Sequence, residues 1–270
     1  MNTPLPLSHH QLLARTRALV AAGPYTTASD AVLLTGHTRY RLHRMGEDGA
    51  IPSRRTGAQT RVYDIRAVVR ESYRQGRLLL ADVLRTAQGE RLDETDFGYA
   101  LTQVDAGTWY TLSRRNHMPP DWTSWAAWYA GNTARARGLL AEEQRQHREE
   151  AESLTARGLT RRRLWCPALP LGAFGRYQEV RFQMLAQAGA HVRVLPGYKL
   201  TYAEEQGPVP DLEVLPDAVY VRRYTDLGAR DGATRVTTPD LVETTREFTR
   251  WLYTTHCALI QDFADDRVPA

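Results

Sequence analysis

Residues 25 to 63 carry an order of local signals that leaves the chain little freedom of fold. Thr27 to Leu34 sets Ala28, Ala31, Val32 and Leu34 on one apolar face, which predicts a short helix, and Gly36 ends it. After His37, Thr38 is a good N-cap type. The run from Arg39 to Met45 then places Leu42 and Met45 three apart, while Arg39, Arg41 and Arg44 point elsewhere. Such a helix is held from behind and charged in front. Gly49 suits a left-handed C-terminal cap and Pro52 blocks continuation, so the chain must leave the helix sharply. A hairpin follows. Arg54, Arg55 and Arg61 flank a Thr56-Gly57-Ala58 turn and Val62-Tyr63 returns as a strand, which aims guanidinium groups at a phosphate backbone or a minor groove.

Leu34-Thr-Gly36 before the turn, Gly49-Ala-Ile-Pro52 after the helix and Arg61-Val-Tyr-Asp64 at the end of the hairpin resemble the winged-helix domains of the MerR-like and excisionase-like families, over residues 24 to 72. The resemblance implies that His37 to Arg44 enter the major groove of duplex DNA and that Ser53 to Val62 form the wing. Thr38, Arg39, Arg41 and Arg44 are then the reading residues, with Arg54, Arg55, Gln59 and Arg61 anchoring the wing. His37 departs from these families, which usually carry a small apolar residue in the turn. The alternative is a basic helical hairpin that merely faces solvent.

Charge agrees with a polyanionic partner. Residues 1 to 75 hold eleven arginines against five acids, a net of +6 within a total of +4, so the remainder is net −2. A basic excess confined to the segment that carries the helix, turn and hairpin is an electrostatic footprint for nucleic acid, and it predicts strongly salt-dependent binding. Lys199 is the only lysine. Cys166 and Cys257 are isolated, without metal-ligand spacing, so neither a zinc site nor a disulfide framework is expected. The start carries no cationic apolar leader and no apolar run approaches about 18 residues, which predicts neither export nor membrane insertion but a cytoplasmic, nucleoid-associated protein.

Further along, Leu78, Leu79, Val83 and Leu84 mark an amphipathic helix. Glu94 to Leu101, a turn through Gln103 to Gly107, and Thr108 to Asn116 then read as a second short helix, turn, helix unit. Its order is similar to phage repressor or Cro-like domains. That resemblance implies a second DNA-binding set of Thr108, Tyr110, Thr111, Arg114, Arg115 and Asn116, with Trp109 and Leu112 inward; the alternative is a plain helical bundle. Trp122, Trp125 and Trp128 recur every three residues, a spacing read as core packing rather than base stacking. Residues 133 to 163 read as a charged helix with sparse apolar positions, a spacer between modules.

From Leu164 the pattern alternates. A strand over 164–169, a helix over 174–188, strands near 191–195, 209–214, 217–224 and 234–237, and a closing helix over 239–263 predict an α/β domain. Phe174 to Phe182, Ala188 to Leu195 and Leu215 to Tyr224 look like the domain that follows helix-turn-helix regulators in many actinobacterial proteins, itself reminiscent of phospholipase D-like folds. Phospholipase D chemistry needs a His with a Lys two positions on and a distant Asp. Here Arg193 follows His191, so no phosphodiesterase activity is expected. A phosphate-cradling glycine loop, a Gly-X-Ser-X-Gly elbow and paired metal-binding histidines are also missing, and His9-His10 is read as a tail rather than a metal site.

The fold expected is multidomain: a tail and helix (1–22), a winged helix (23–75), a helical domain (76–131), a helical linker (132–163) and an α/β domain (164–264). The function expected is that of a non-enzymatic, sequence-specific double-stranded DNA-binding transcriptional regulator without cofactor or metal. It would act as a homodimer; a further alternative is a ligand-gated regulator that takes an unidentified small-molecule effector in an apolar pocket beneath Trp251 or Tyr220. The alternatives are an architectural factor for excision, replication or partition, and a nuclease in which Glu179 or Asp217 is essential.

Overall fold

In a computed structural model of the protein, which describes residues 9–57, 60–75, 80–120, 123–204 and 207–263, the chain divides into two units. One takes the chain up to Val83 together with Tyr202–Gly207; the other takes Leu84–Thr201 and the chain from Pro208.

In the first unit, α1 (His9–Ala22), β1 (Tyr25–Thr27), α2 (Ala28–Thr35), α3 (Arg39–Glu47), β2 (Ser53–Arg55), β3 (Arg61–Asp64) and α4 (Ile65–Arg74) follow in order. Local chemistry sets their ends. The Thr27 hydroxyl accepts from the Asp30 N–H at 3.1 Å and caps α2, and Gly36 closes that helix at φ 70°, its N–H donating to the Val32 carbonyl at 2.8 Å. Thr38 caps α3 in the same way, accepting from the Arg41 N–H at 3.2 Å. Strand β3 lies between β1 and β2, antiparallel to both. Leu34, Leu42, Ile51, Tyr63, Ile65 and Val68 join α2, α3, α4 and the sheet in one apolar cluster. Burying Leu42 fully contributes roughly 1.5–3 kcal/mol, enough to fix which side of α3 faces inward.

Helix α5 (Leu80–Arg85) follows. The second unit then contains β4 (Glu90–Leu92), α6 (Glu94–Thr102), β5 (Gly107–Ser113), α7 (Thr123–Tyr129), α8 (Thr133–Ala156), β6 (Leu159–Trp165), α9 (Ala173–Gln187) and β7 (His191–Val194). It closes with β8 (Leu212–Val214), β9 (Val219–Tyr224), β10 (Arg230–Val236), α10 (Pro239–Trp251) and β11 (Ala258–Leu259). The strands form one eight-stranded sheet in the order β11-β7-β6-β5-β8-β9-β10-β4, parallel across β5, β6 and β7 and antiparallel elsewhere. Parallel neighbours need long crossovers, and α7 with α8 and then α9 supply them. Trp125 packs against Phe174 and Tyr177, with ring centroids 5.2 Å apart in both pairs. Among the described residues, no helix is long and apolar enough to cross a membrane.

Three expectations are corrected. Residues 107–113 form a strand inside the sheet rather than a recognition helix, because Trp109 and Thr111 face one side, Tyr110 and Leu112 the other, and all four are buried. The α/β unit therefore begins well before residue 164, and there is no separate helical domain over 76–131. The charged helix is likewise no spacer: α8 is the β5-to-β6 crossover, with Ala136, Leu140 and Leu154 buried. Much of its inner side is polar because the sheet beneath it is polar. Glu143 pairs with Arg181 of α9 at 3.0 Å and Glu150 with Arg161 of β6 at 2.9 Å. Trp122, Leu78 and Leu79 lie outside the described residues.

Candidate nucleic-acid interface

Helix α3 presents two unlike sides. Leu42 is fully buried and Met45 packs against the same core, while Arg39, Tyr40, Arg41, His43 and Arg44 are exposed. His37, the residue out of place in the sequence pattern, is buried in the turn between α2 and α3, and its Nε2 lies 2.8 Å from Glu71 Oε1 on α4. The pair anchors the turn to the helix behind it, a role that a small apolar residue would leave to packing alone. The Gln75 amide also donates to Glu71, at 2.8 Å.

The hairpin is set close to the end of α3. Ser53 Oγ donates to the Gly46 carbonyl at 3.3 Å and accepts from Arg61 Nη1 at 3.0 Å. A Cβ on Gly46 would stand 2.7 Å from Ser53 Oγ and 2.9 Å from Arg61 Nη1, so glycine leaves these two side-chain ends room for their hydrogen bond. Arg61 is thereby committed to bracing the hairpin rather than reaching outward, which corrects its expected part as a free wing contact. Burial pushes the neighbouring Tyr63 phenol up from its ordinary pKa, against the lowering effect of the Arg61 charge. Arg54 lies over the Tyr25 ring, 4.1 Å from its centroid, and Arg55 is exposed. Gln59 lies outside the described residues. Among the described residues, none of Arg39, Arg41, Arg44, Arg54, Arg55 and Arg61 is ion-paired, and the guanidinium groups of Arg41, Arg44 and Arg55 have no hydrogen-bond partner. Tyr40, 74% exposed between two of these arginines, is a candidate contact that the sequence reading passed over. A large aromatic on the charged side of an amphipathic helix is the signal that could have found it.

The profile of a domain of unknown function, DUF6879, matches residues 98–261, more than half of the chain. The chain belongs to the DUF6879 family. No curated protein matches the sequence. The DUF6879 match starts within α6 and takes in every strand of the large sheet except β4; the part of the first unit up to Val83 lies outside it. The second candidate DNA-binding set lies inside the DUF6879 segment and is not brought together as a surface. Thr108 is half-buried, and Tyr110 and Thr111 are buried in β5. The backbone N–H groups of Arg114 and Arg115 donate to Asp211 Oδ1 at 2.6 and 3.1 Å. The Arg115 guanidinium covers the Tyr224 ring at 3.8 Å, and Asn116 Oδ1 accepts from the Ala168 N–H at 2.7 Å. These residues tie loops to the DUF6879 sheet. Asp217 and Tyr220 line a cleft of about 680 Å³ whose wall is mixed, with Leu92, Val104 and Pro216 beside Glu90, Asp96 and Arg235, rather than the expected apolar pocket, and Glu179 on α9 does not line it. Trp251 is 44% exposed and stands edge-on to His256.

Proposed function

We propose that the first unit is a winged helix-turn-helix that binds duplex DNA in a sequence-specific way, and that the chain acts as a non-enzymatic transcriptional regulator. In this reading α2 and α3 are the helix-turn-helix, α3 lies in the major groove, and the β2–β3 hairpin is the wing. The observation that carries it is the set of guanidinium groups left without a carboxylate on α3 and the hairpin, in contrast to the paired arginines of the second unit. An exposed cation that has no internal partner is available to a phosphate or a guanine edge. Arg41 and Arg44 are the principal readers, Tyr40 lies against sugar or a thymine methyl, and Arg54 and Arg55 hold the wing on the backbone.

The test is genome-wide occupancy of the wild type beside an Arg41→Ala, Arg44→Ala double variant. Discrete sites over promoters that vanish in the variant support the reading. Occupancy restricted to an origin or attachment site would favour the architectural role instead, and full occupancy by the variant would refute α3 as the reading helix.

A further inference from the structure

On the inner face of the second unit's sheet, Arg163 of β6 sits opposite Thr111 of β5, which sits opposite Glu213 of β8. These residues and α8 and α9 above them enclose a cavity of about 390 Å³, within the size range of sites for small metabolites. Most of its charges are already matched. Arg161 bridges Glu150 at 2.9 Å and Glu213 at 3.5 Å, Arg181 pairs with Glu143 at 3.0 Å, and Arg222 pairs with Glu94 at 2.9 Å. Arg163 differs. Among the described residues its guanidinium makes no hydrogen bond and no ion pair. Burial and the like charges of Arg161 and Arg181 pull its guanidinium down to a pKa of about 9, against the opposing charges of Glu213 and Glu150. A second group is also left open: Gln178 of α9 is 92% buried, lines the same cavity, and its Oε1 has no partner.

The guanidinium stands beside two other cations, and although Glu150 and Glu213 attract it neither lies within ion-pair distance, so an added anion would complete it, and its planar fork fits the two oxygens of a carboxylate or phosphate. We propose that this cavity binds a small organic oxyanion, a carboxylate or phosphate head on Arg163, with a polar group of the same molecule against the Gln178 amide. A nucleic-acid strand does not fit, because Glu94, Glu150, Asp211 and Glu213 share the walls and would repel a run of phosphates. The ligand has a way in. A neighbouring cleft of about 420 Å³ shares His147, Glu150, Arg181 and Arg230 with the cavity. The inference concerns the second unit alone and stands whether or not the first binds DNA.

The experiment is equilibrium binding of inorganic phosphate and, separately, of citrate to the full chain at fixed ionic strength, for the wild type, Arg163→Met and the Arg41→Ala, Arg44→Ala variant. Expected is saturable binding of at least one probe at a single site, weakened about tenfold or more by Arg163→Met, as loss of charged hydrogen bonds implies, and unaffected by the α3 double variant. Which probe binds tells a phosphate ligand from a carboxylate one. The urea midpoint of Arg163→Met without anion should fall by no more than the loss of its attraction to Glu150 and Glu213 implies, since no hydrogen bond or close ion pair of the guanidinium is lost. Failure of both probes to bind the wild type, binding that survives Arg163→Met, or a midpoint that falls as for a broken ion pair would each overturn the proposal.

Discussion

Replacing Glu213 tests whether the polar inner face of the sheet is a structural network. Its Oε2 accepts from the Trp109 indole N–H and from the Thr111 hydroxyl, both at 2.6 Å, while Oε1 faces Arg161 at 3.5 Å. Trp109 and Thr111 are buried, so Glu213→Ala strands two donors and removes one of the two carboxylates that bridge Arg161. Each stranded donor costs about 1–3 kcal/mol, and breaking a buried pair by removing one partner costs about 3–5 kcal/mol. These losses overlap because the same carboxylate serves all three groups, so the expected destabilisation is about 4 kcal/mol. Glu213→Gln keeps an oxygen for both donors and loses only the charge, which lowers the expected loss to about 2 kcal/mol. Urea unfolding followed by tryptophan fluorescence reads the result, since all six tryptophans lie between residues 109 and 251 and the signal follows the second unit. A Glu213→Ala protein within about 1 kcal/mol of wild type, or a Gln variant as damaged as the Ala variant, would refute the network.

Gly46→Ala should gain less than the usual helix-propensity increment of about 1 kcal/mol, because its Cβ displaces Ser53 Oγ and Arg61 Nη1 and the hydrogen bonds that brace the hairpin; thermal unfolding followed by circular dichroism reads the difference, and a full gain would refute the bracing. Glu150 governs acid behaviour. Burial alone would raise its carboxyl, but the hydrogen bond from His147 and the charges of Arg161 and Arg163 prevail and hold it at about 2. A depressed carboxyl contributes stability above its ordinary value of 4.5 that disappears as pH falls toward 2. Glu150→Gln should therefore flatten the pH dependence of the urea midpoint over that window, by about 1–2 kcal/mol once its partial exposure is discounted. Finally, neither cysteine should react with a disulfide reagent in the native protein near pH 8. Cys166 is buried, and burial pushes the Cys257 thiol up to about 12; both should react after denaturation.

The first unit was legible because its signals are local. Thr27, Gly36, Thr38, Gly49 and Pro52 act on their own turns, and Leu42 and Met45 mark the buried side of α3 without reference to distant residues. What escaped notice there was the reason for His37, whose partner Glu71 is thirty-four positions away. In the second unit the decisive partners are remote throughout. Trp109 and Leu112 fit a helix face by spacing, and only pairing with β6, about fifty residues on, makes that run a strand. Acidic positions on α8 look solvated in sequence, yet they face arginines on β6 and α9. Arg163 gave no signal at all, since what distinguishes it is that no carboxylate reaches ion-pair distance.

The large sheet ends in very short strands: β4 has three residues, with Glu90 and Arg91 exposed, and β11 has two. Neither offers the row of open backbone donors and acceptors on which another chain could continue the ladder. Strand-to-strand joining of copies through the edges of this large sheet is therefore not something its architecture invites.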